Sequence, residues 1–421
     1  MRGAQVAQPP GVRPPDGGCR LGEADAISPK VDGALPGATL CTVVTPAHLD
    51  LIATNRQLVD TLNPGTAVRW SITYNPDVHT AQGSLGSGTS ELPAPLEAGL
   101  IGHTSSTVSI HQGQSLEQVF TDVFNDPENC KAPPKERRRL LGKYIASYHH
   151  AAGLTLAMRS VRTRYAILMD PDFFVLRPDW INTALQHMRD RDLAVFGAPW
   201  SPRWYQKPRG FPSAHLMIID LEKAPWSTDS LTPDLVGGGR RVASDIWSRF
   251  MSADEAVRRS ALRALLRRPW RAALEDFRQR RTIGSSRDTG YRLKQAFSEH
   301  PDLSVGFVQA VFRPRDGFMP AAVSPLQRHP MLEAFLPDAL RYLPRRGELF
   351  TGRSFSDLAY PSFREQGWEE FLWRGAPFAV HVRGELQRRS GRSPTNSEVR
   401  DGLDAVLARL GKPPLAPIAN P

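Results

Sequence analysis

Two aspartates separated by a proline, Asp170-Pro171-Asp172, stand at the end of the apolar run Tyr165–Met169. In an extended chain residues i and i+2 point to the same side, and Pro171 fixes φ between the two carboxylates. Like charges held on one side repel unless a cation lies between or beside them. Oxygen donors of this kind suit a hard divalent ion, Mg2+ or Mn2+, which retains part of its water and binds substrate phosphates. The alternative is that Asp-Pro-Asp is turn chemistry alone, since both residue types favour turns. The setting of the motif decides between the two.

That setting is a run of elements with the rhythm of an α/β fold. "ATLCTVVTPAH" (38–48) is a β-branched run that predicts a buried strand. "LDLIATNRQLVDTLN" places Leu51, Ile52, Leu58, Val59 and Leu62 at helical spacing, and Asn63-Pro64-Gly65 stops that helix. "AVRWSITYNP" predicts a second strand, so the chain opens with a strand–helix–strand unit and a parallel sheet. "STVSIHQ" (106–112) reads as a third strand, 140–161 as a helix, and that helix feeds the strand carrying Asp170. Ligands of open parallel sheets bind at the carboxyl ends of the strands, which is where the motif falls. Past it, "DWINTALQHMRD" reads as a helix, "LAVFGAPW" and "SAHLMIIDL" as strands, "PFAVHV" as a short strand, and 397–410 as a last helix.

Over roughly residues 38–300 the chain resembles the family 2 glycosyltransferases of GT-A fold. The likeness is carried by "TLCTVVTPAHLDLIATNRQLVDTL", by "RWSITYN" and, most specifically, by "SYHHAAGLTLAMRSVRTRYAILMDPDFFVLRPDW". The resemblance implies a GT-A type, Rossmann-like nucleotide-diphospho-sugar transferase domain with a mostly parallel central sheet. It implies a nucleotide-diphosphate sugar donor, with Thr45 and Pro46 beside the base and Asn75 at a position often acidic in the family. Asp170 would contact ribose or metal, and Asp172 would ligate the Mn2+ or Mg2+ that neutralises the departing diphosphate. The family's inverting members take a base from a later acidic block. The nearest equivalent is "SSRDTGYRLKQAF", in which Asp288 would be the catalytic base, although Arg287 stands where a paired acid is usual. Asp288 reads equally well as the N-cap of the following helix. His381, in "PFAVHV", would complete the metal site, as a late histidine does in some GT-A enzymes; otherwise it is a structural residue of its strand. One of His149 and His150 would face the cleft, and His215 would lie beneath the acceptor site.

Composition sets the outer limits. The 421 residues divide into a tail rich in Pro and Gly (1–38), expected to be disordered, a transferase domain (39–300), and a C-terminal extension (301–421) expected on the acceptor side and packed on the core. The net charge of +10 is concentrated in residues 258–281, which hold nine arginines against Glu275 and Asp276. The chain as a whole is therefore not a nucleic-acid binder. Leu262, Leu265, Leu266, Trp270, Leu274 and Phe277 give that segment the stripe of a basic amphipathic helix, suited either to an anionic membrane surface or to the protein's own core. Cys19, Cys41 and Cys130 lack paired spacing, no apolar run approaches membrane-spanning length, and no export signal is evident. The expectation is a cytoplasmic enzyme, in peripheral contact with the inner face of a membrane if the segment binds lipid, and a glycan, lipid-linked or small-molecule acceptor. A non-catalytic membrane-surface or polyanion-binding protein with a decayed transferase domain is the alternative.

Overall fold

The computed structural model describes residues 35–76, 78–79, 85–86, 107–126, 134–199, 211–229, 231–233, 289–311, 354–358, 363, 366–382 and 394–417. Its strands are β1 (Leu35–Val44), β2 (Val68–Tyr74), β3 (Val78–His79), β4 (Leu85–Gly86), β5 (Thr107–Gln112), β6 (Thr163–Met169), β7 (Phe173–Val175), β8 (Leu193–Gly197), β9 (Leu216–Asp220), β10 (Ser304–Phe307), β11 (Gln309–Ala310), β12 (Glu369–Trp373) and β13 (Ala376–His381). Its helices are α1 (Leu49–Leu62), α2 (Leu116–Asn125), α3 (Pro134–Arg159), α4 (Trp180–Asp190), α5 (Tyr291–Glu299) and α6 (Asn396–Arg409), with a further turn at Phe355–Leu358 and 3-10 turns at Pro46–His48 and Pro225–Asp229.

A central sheet of seven strands runs in the order β10-β8-β9-β6-β1-β2-β5. β1 pairs in parallel with β2 and with β6, β2 with β5, and β8 with β10. β9 is inserted antiparallel between β6 and β8, so the sheet is mostly parallel. Helices cover both faces, which is why β6, β8 and β9 are buried almost without alternation. On one face α1 and α4 supply Ile52, Val59, Trp180, Ile181 and Leu185. On the other, α3 and α5 supply Leu154, Ala157, Met158, Leu293 and Phe297. The fold is α/β.

A second, wholly antiparallel sheet, β11-β12-β13-β7, grows from the first, because β7 follows β6 directly through the Asp-Pro-Asp turn. β12 and β13 form a hairpin closed by Arg374 and Gly375, with φ of 53° and 73°. Two left-handed residues are what a two-residue hairpin turn requires to match strand twist. Behind this sheet α6 packs Val399, Leu403, Val406 and Leu407 against Leu58 and Leu62 of α1 and Phe174 of β7. A reciprocal cap between Thr395 and Glu398 starts α6.

The opening strand–helix–strand unit appears as expected. β1 begins at Leu35, inside the stretch assigned to the tail, and α3 begins at Pro134, ahead of the expected 140. Past residue 300 the chain returns to the central sheet as edge strand β10 before building the second sheet. Residues 1–34 and the basic segment 258–281 lie outside the described residues. No helix among the described residues is long and apolar enough to cross a membrane.

Candidate metal centre

The strand order locates the site. From β1 the chain proceeds outward to β2 and β5, then crosses back along α3 to β6 on the other side of β1. Connections that diverge from neighbouring strands leave a crevice at their carboxyl ends. Thr45 follows the last residue of β1 and Asp170 the last residue of β6, so both stand at that crevice.

The Asp-Pro-Asp turn is fixed from three directions. The Asp170 amide donates to the His215 carbonyl at 3.1 Å, and the Phe173 amide donates to the Asp170 carbonyl at 3.1 Å. From below, the buried Asn55 of α1 donates its side-chain amide to the Phe173 carbonyl at 2.9 Å and approaches that of Pro171 at 3.5 Å. From the side, β13 lies antiparallel to β7 with His381 opposite Phe173, and the Val382 amide donates to the Asp172 carbonyl at 3.0 Å. This register delivers His381 to the motif. Its Nε2 lies 3.4 Å from Asp172 Oδ1, and its Nδ1 lies 3.0 Å from Oε2 of Glu369, its cross-strand partner on β12.

Asp170, Asp172 and His381 each offer one ligand atom within 4.8 Å of the others. At 3.4 Å neither the approach of His381 to Asp172 nor that of His150 Nε2 to Asp170 Oδ1 is a well-formed hydrogen bond. His381 Nε2 and Asp170 Oδ1 are therefore buried polar atoms without a hydrogen-bond partner, an arrangement that costs free energy unless something meets both. Burial lowers the His381 pKa. The charge of the nearby Asp172 and the hydrogen bond to Glu369 more than offset this and hold it at about 10. A divalent cation at Nε2 would compete with a proton there, so binding would weaken as pH falls. The carboxylate–imidazole–ligand geometry, with Nδ1 donating to Glu369, is the usual support for a metal-binding histidine. Two carboxylates with one imidazole suit Mn2+ better than the strictly oxygen-seeking Mg2+.

The other histidines separate cleanly. His149 is buried, with Nε2 2.8 Å from the Gln114 carbonyl, and His150 faces Asp170. His150 Nδ1 lies 3.2 Å from the Thr289 hydroxyl, which itself donates to the Ser147 carbonyl at 3.1 Å. His215 is buried behind the ligand set, its ring stacked on His381 at 4.8 Å and on Phe173 at 5.4 Å.

Thr45 and Pro46 are half-buried at the crevice, Pro46 opening a 3-10 turn and the Thr45 hydroxyl 3.3 Å from His48 Nδ1. Asn75 is buried beside them: its backbone amide donates to the Val44 carbonyl at 2.8 Å, and its side-chain amide to that of His149 at 3.3 Å. Asp288 lies outside the described residues, and the N-cap position of α5 is held by Gly290. Sequence reasoning did not single out Asn55 or Glu369. For Glu369 a signal exists: "WEEFLW" puts two acids inside an aromatic strand, and both are buried. Glu370 accepts from the Ser356 amide at 3.0 Å, which leaves Glu369 for His381.

No family model and no curated protein matches the chain. Among solved structures it is similar to the mannosyltransferase Ktr4p from S. cerevisiae, with 11% identity and a TM-score of 0.27 over 44% of this chain and 56% of that one. It is similar to core-mannan synthase A from Aspergillus fumigatus in a Mn/GDP form, with 12% identity and a TM-score of 0.28 over 45% and 60%. Mouse xyloside xylosyltransferase 1 aligns with 11% identity and a TM-score of 0.32 over 65% and 85%. The chain thus spans little more than half the length of the first two of these proteins.

Proposed function

We propose that the chain is a metal-dependent glycosyltransferase that moves a sugar from a nucleotide-diphosphate donor to an acceptor hydroxyl. The observation that carries this reading is the convergence of Asp170, Asp172 and His381 at the crevice between β1 and β6. Asp170, Asp172 and His381 would hold the ion, Mn2+ in preference to Mg2+, and the ion when bound supplies positive charge against the departing diphosphate. Asp172, clamped through its carbonyl to β13, keeps its carboxylate at one place before a cation arrives. Thr45 and Pro46 line the crevice where a base would lie, and Asn75 sets the end of β2 against β1.

An inverting reaction needs a base for the acceptor hydroxyl, and Asp288 is our candidate. The acceptor, a glycan, a lipid-linked sugar or a small molecule, would meet residues of the C-terminal part, whose described strands flank the centre. The test is Mn2+ binding and the hydrolysis of UDP-, GDP- and TDP-sugars by wild type and by Asp172→Asn. We expect the variant to keep its fold by circular dichroism and to lose activity by roughly 100-fold or more. Equal activity in the two proteins, or full activity in excess chelator, removes the metal mechanism.

A further inference from the structure

The far end of the β12–β13 hairpin carries a separate cluster. Trp373 is buried, and the guanidinium groups of Arg177 and Arg374 each lie 5.1 Å from its ring centroid. Arg177 donates to the Trp373 carbonyl at 3.1 Å, and Arg374 donates to His187 Nδ1 at 2.9 Å. Accepting at Nδ1 leaves the proton of the neutral His187 ring on Nε2. Among the described residues neither guanidinium meets a carboxylate.

Arg374 is exposed at the turn and Arg177 is half-buried, and a guanidinium drawn out of water is normally paired with an acid. The indole attracts both but neutralises neither. Burial, and after it the charge of Arg374, lowers the Arg177 pKa, so the two cations oppose each other. Burial and the charges of Arg374 and Arg191 lower that of His187 against the weaker pull of Asp190. Arg374 holds a φ of 53°, a conformation glycine or asparagine adopts at lower cost. Planar N–H forks without an acid are matched by an oxyanion, above all phosphate, which accepts from a guanidinium in pairs.

We propose that Arg177 and Arg374, the latter held by His187, form a binding site for a phosphate-bearing ligand, distinct from the metal centre. The cluster sits at the start of β13 and His381 at its end, about 16 Å apart along the strand. The ligand's phosphate belongs either to a soluble ester or to a lipid head group, and the chemistry at the protein is the same for both.

The experiment is a titration of the full chain with inorganic phosphate at constant ionic strength, in EDTA so that the metal centre contributes nothing, followed by 31P line broadening and calorimetry. A saturable response is expected. The double variant Arg177→Met, Arg374→Gly should weaken it roughly tenfold or more, the loss of a charge-assisted pair. Methionine keeps the aliphatic packing over Trp373, and glycine suits the positive φ. Should the double variant not fold, Arg374→Gly alone, at an exposed turn, carries the test with a smaller loss. Identical titrations in wild type and variant, or no saturable response in wild type, overturn the proposal. Sedimentation with phosphatidic acid but not phosphatidylcholine vesicles, lost in the variant, identifies a lipid phosphate. Competition by a sugar phosphate without vesicle retention identifies a soluble one.

Discussion

Glu369 stands one strand behind the candidate metal centre and meets it through His381. A carboxylate in that position fixes both ring orientation and the nitrogen that faces the ion, and its removal typically costs 10–100-fold in metal affinity. Glu369→Ala should therefore weaken Mn2+ binding by about that range, while Glu369→Gln, which can still accept from Nδ1, should lose less. Mn2+ electron paramagnetic resonance titration reads both; equal affinity in all three proteins would mean that packing against Phe173 and His215 orients His381 unaided. Residues differed in how visible they were in the sequence. Asp170 and Asp172 stood out because two acids interrupt an apolar run. His381 could be read as ligand or as core, and Glu369 was not seen, because its partner is set by hairpin register, which spacing along the chain does not express.

At the scale of elements, the opening β1–α1–β2 unit was legible because its strands are β-branched runs and its helix has a clear stop at Asn63-Pro64-Gly65. β9 was legible as a strand but not as an antiparallel one, since a strand buried on both faces shows the same unbroken apolar run in either direction. The β12–β13 hairpin lacks an Asn-Gly or Asp-Gly turn, and Arg374-Gly375 gives a weak signal by comparison. Close packing at strand ends was equally silent. A Cβ at Gly113 would fall 1.9 Å from Asn75 Oδ1 and 2.9 Å from the Tyr74 carbonyl. Gly113→Ala should therefore destabilise the chain by about 1–3 kcal/mol and shift Asn75 at the crevice. Urea unfolding measures the first, and a weaker nucleotide affinity at unchanged Mn2+ affinity the second; an unchanged midpoint would show that β5 moves aside at no cost.

At the scale of the whole molecule, the proposed ion joins two layers. Asp170 ends a strand of the central sheet, and His381 ends a strand of the second. Binding to the folded state alone stabilises it by about 2.7 kcal/mol at an ion concentration a hundred times Kd. Added Mn2+ should thus raise the midpoint of thermal unfolding by a few degrees, EDTA should reverse the gain, and Asp172→Asn should show neither effect. A midpoint indifferent to Mn2+ would argue that the ion, if bound, clamps nothing. The split origin of the ligands has a further consequence during synthesis. A ribosome completes both aspartates long before it reaches His381, and the nascent chain meanwhile carries a pair of acids with no third partner. Only when the last hairpin has emerged and paired with β7 would the centre exist, so a polypeptide cut short anywhere before it would be inert, and chemistry would begin only in a chain translated through that hairpin.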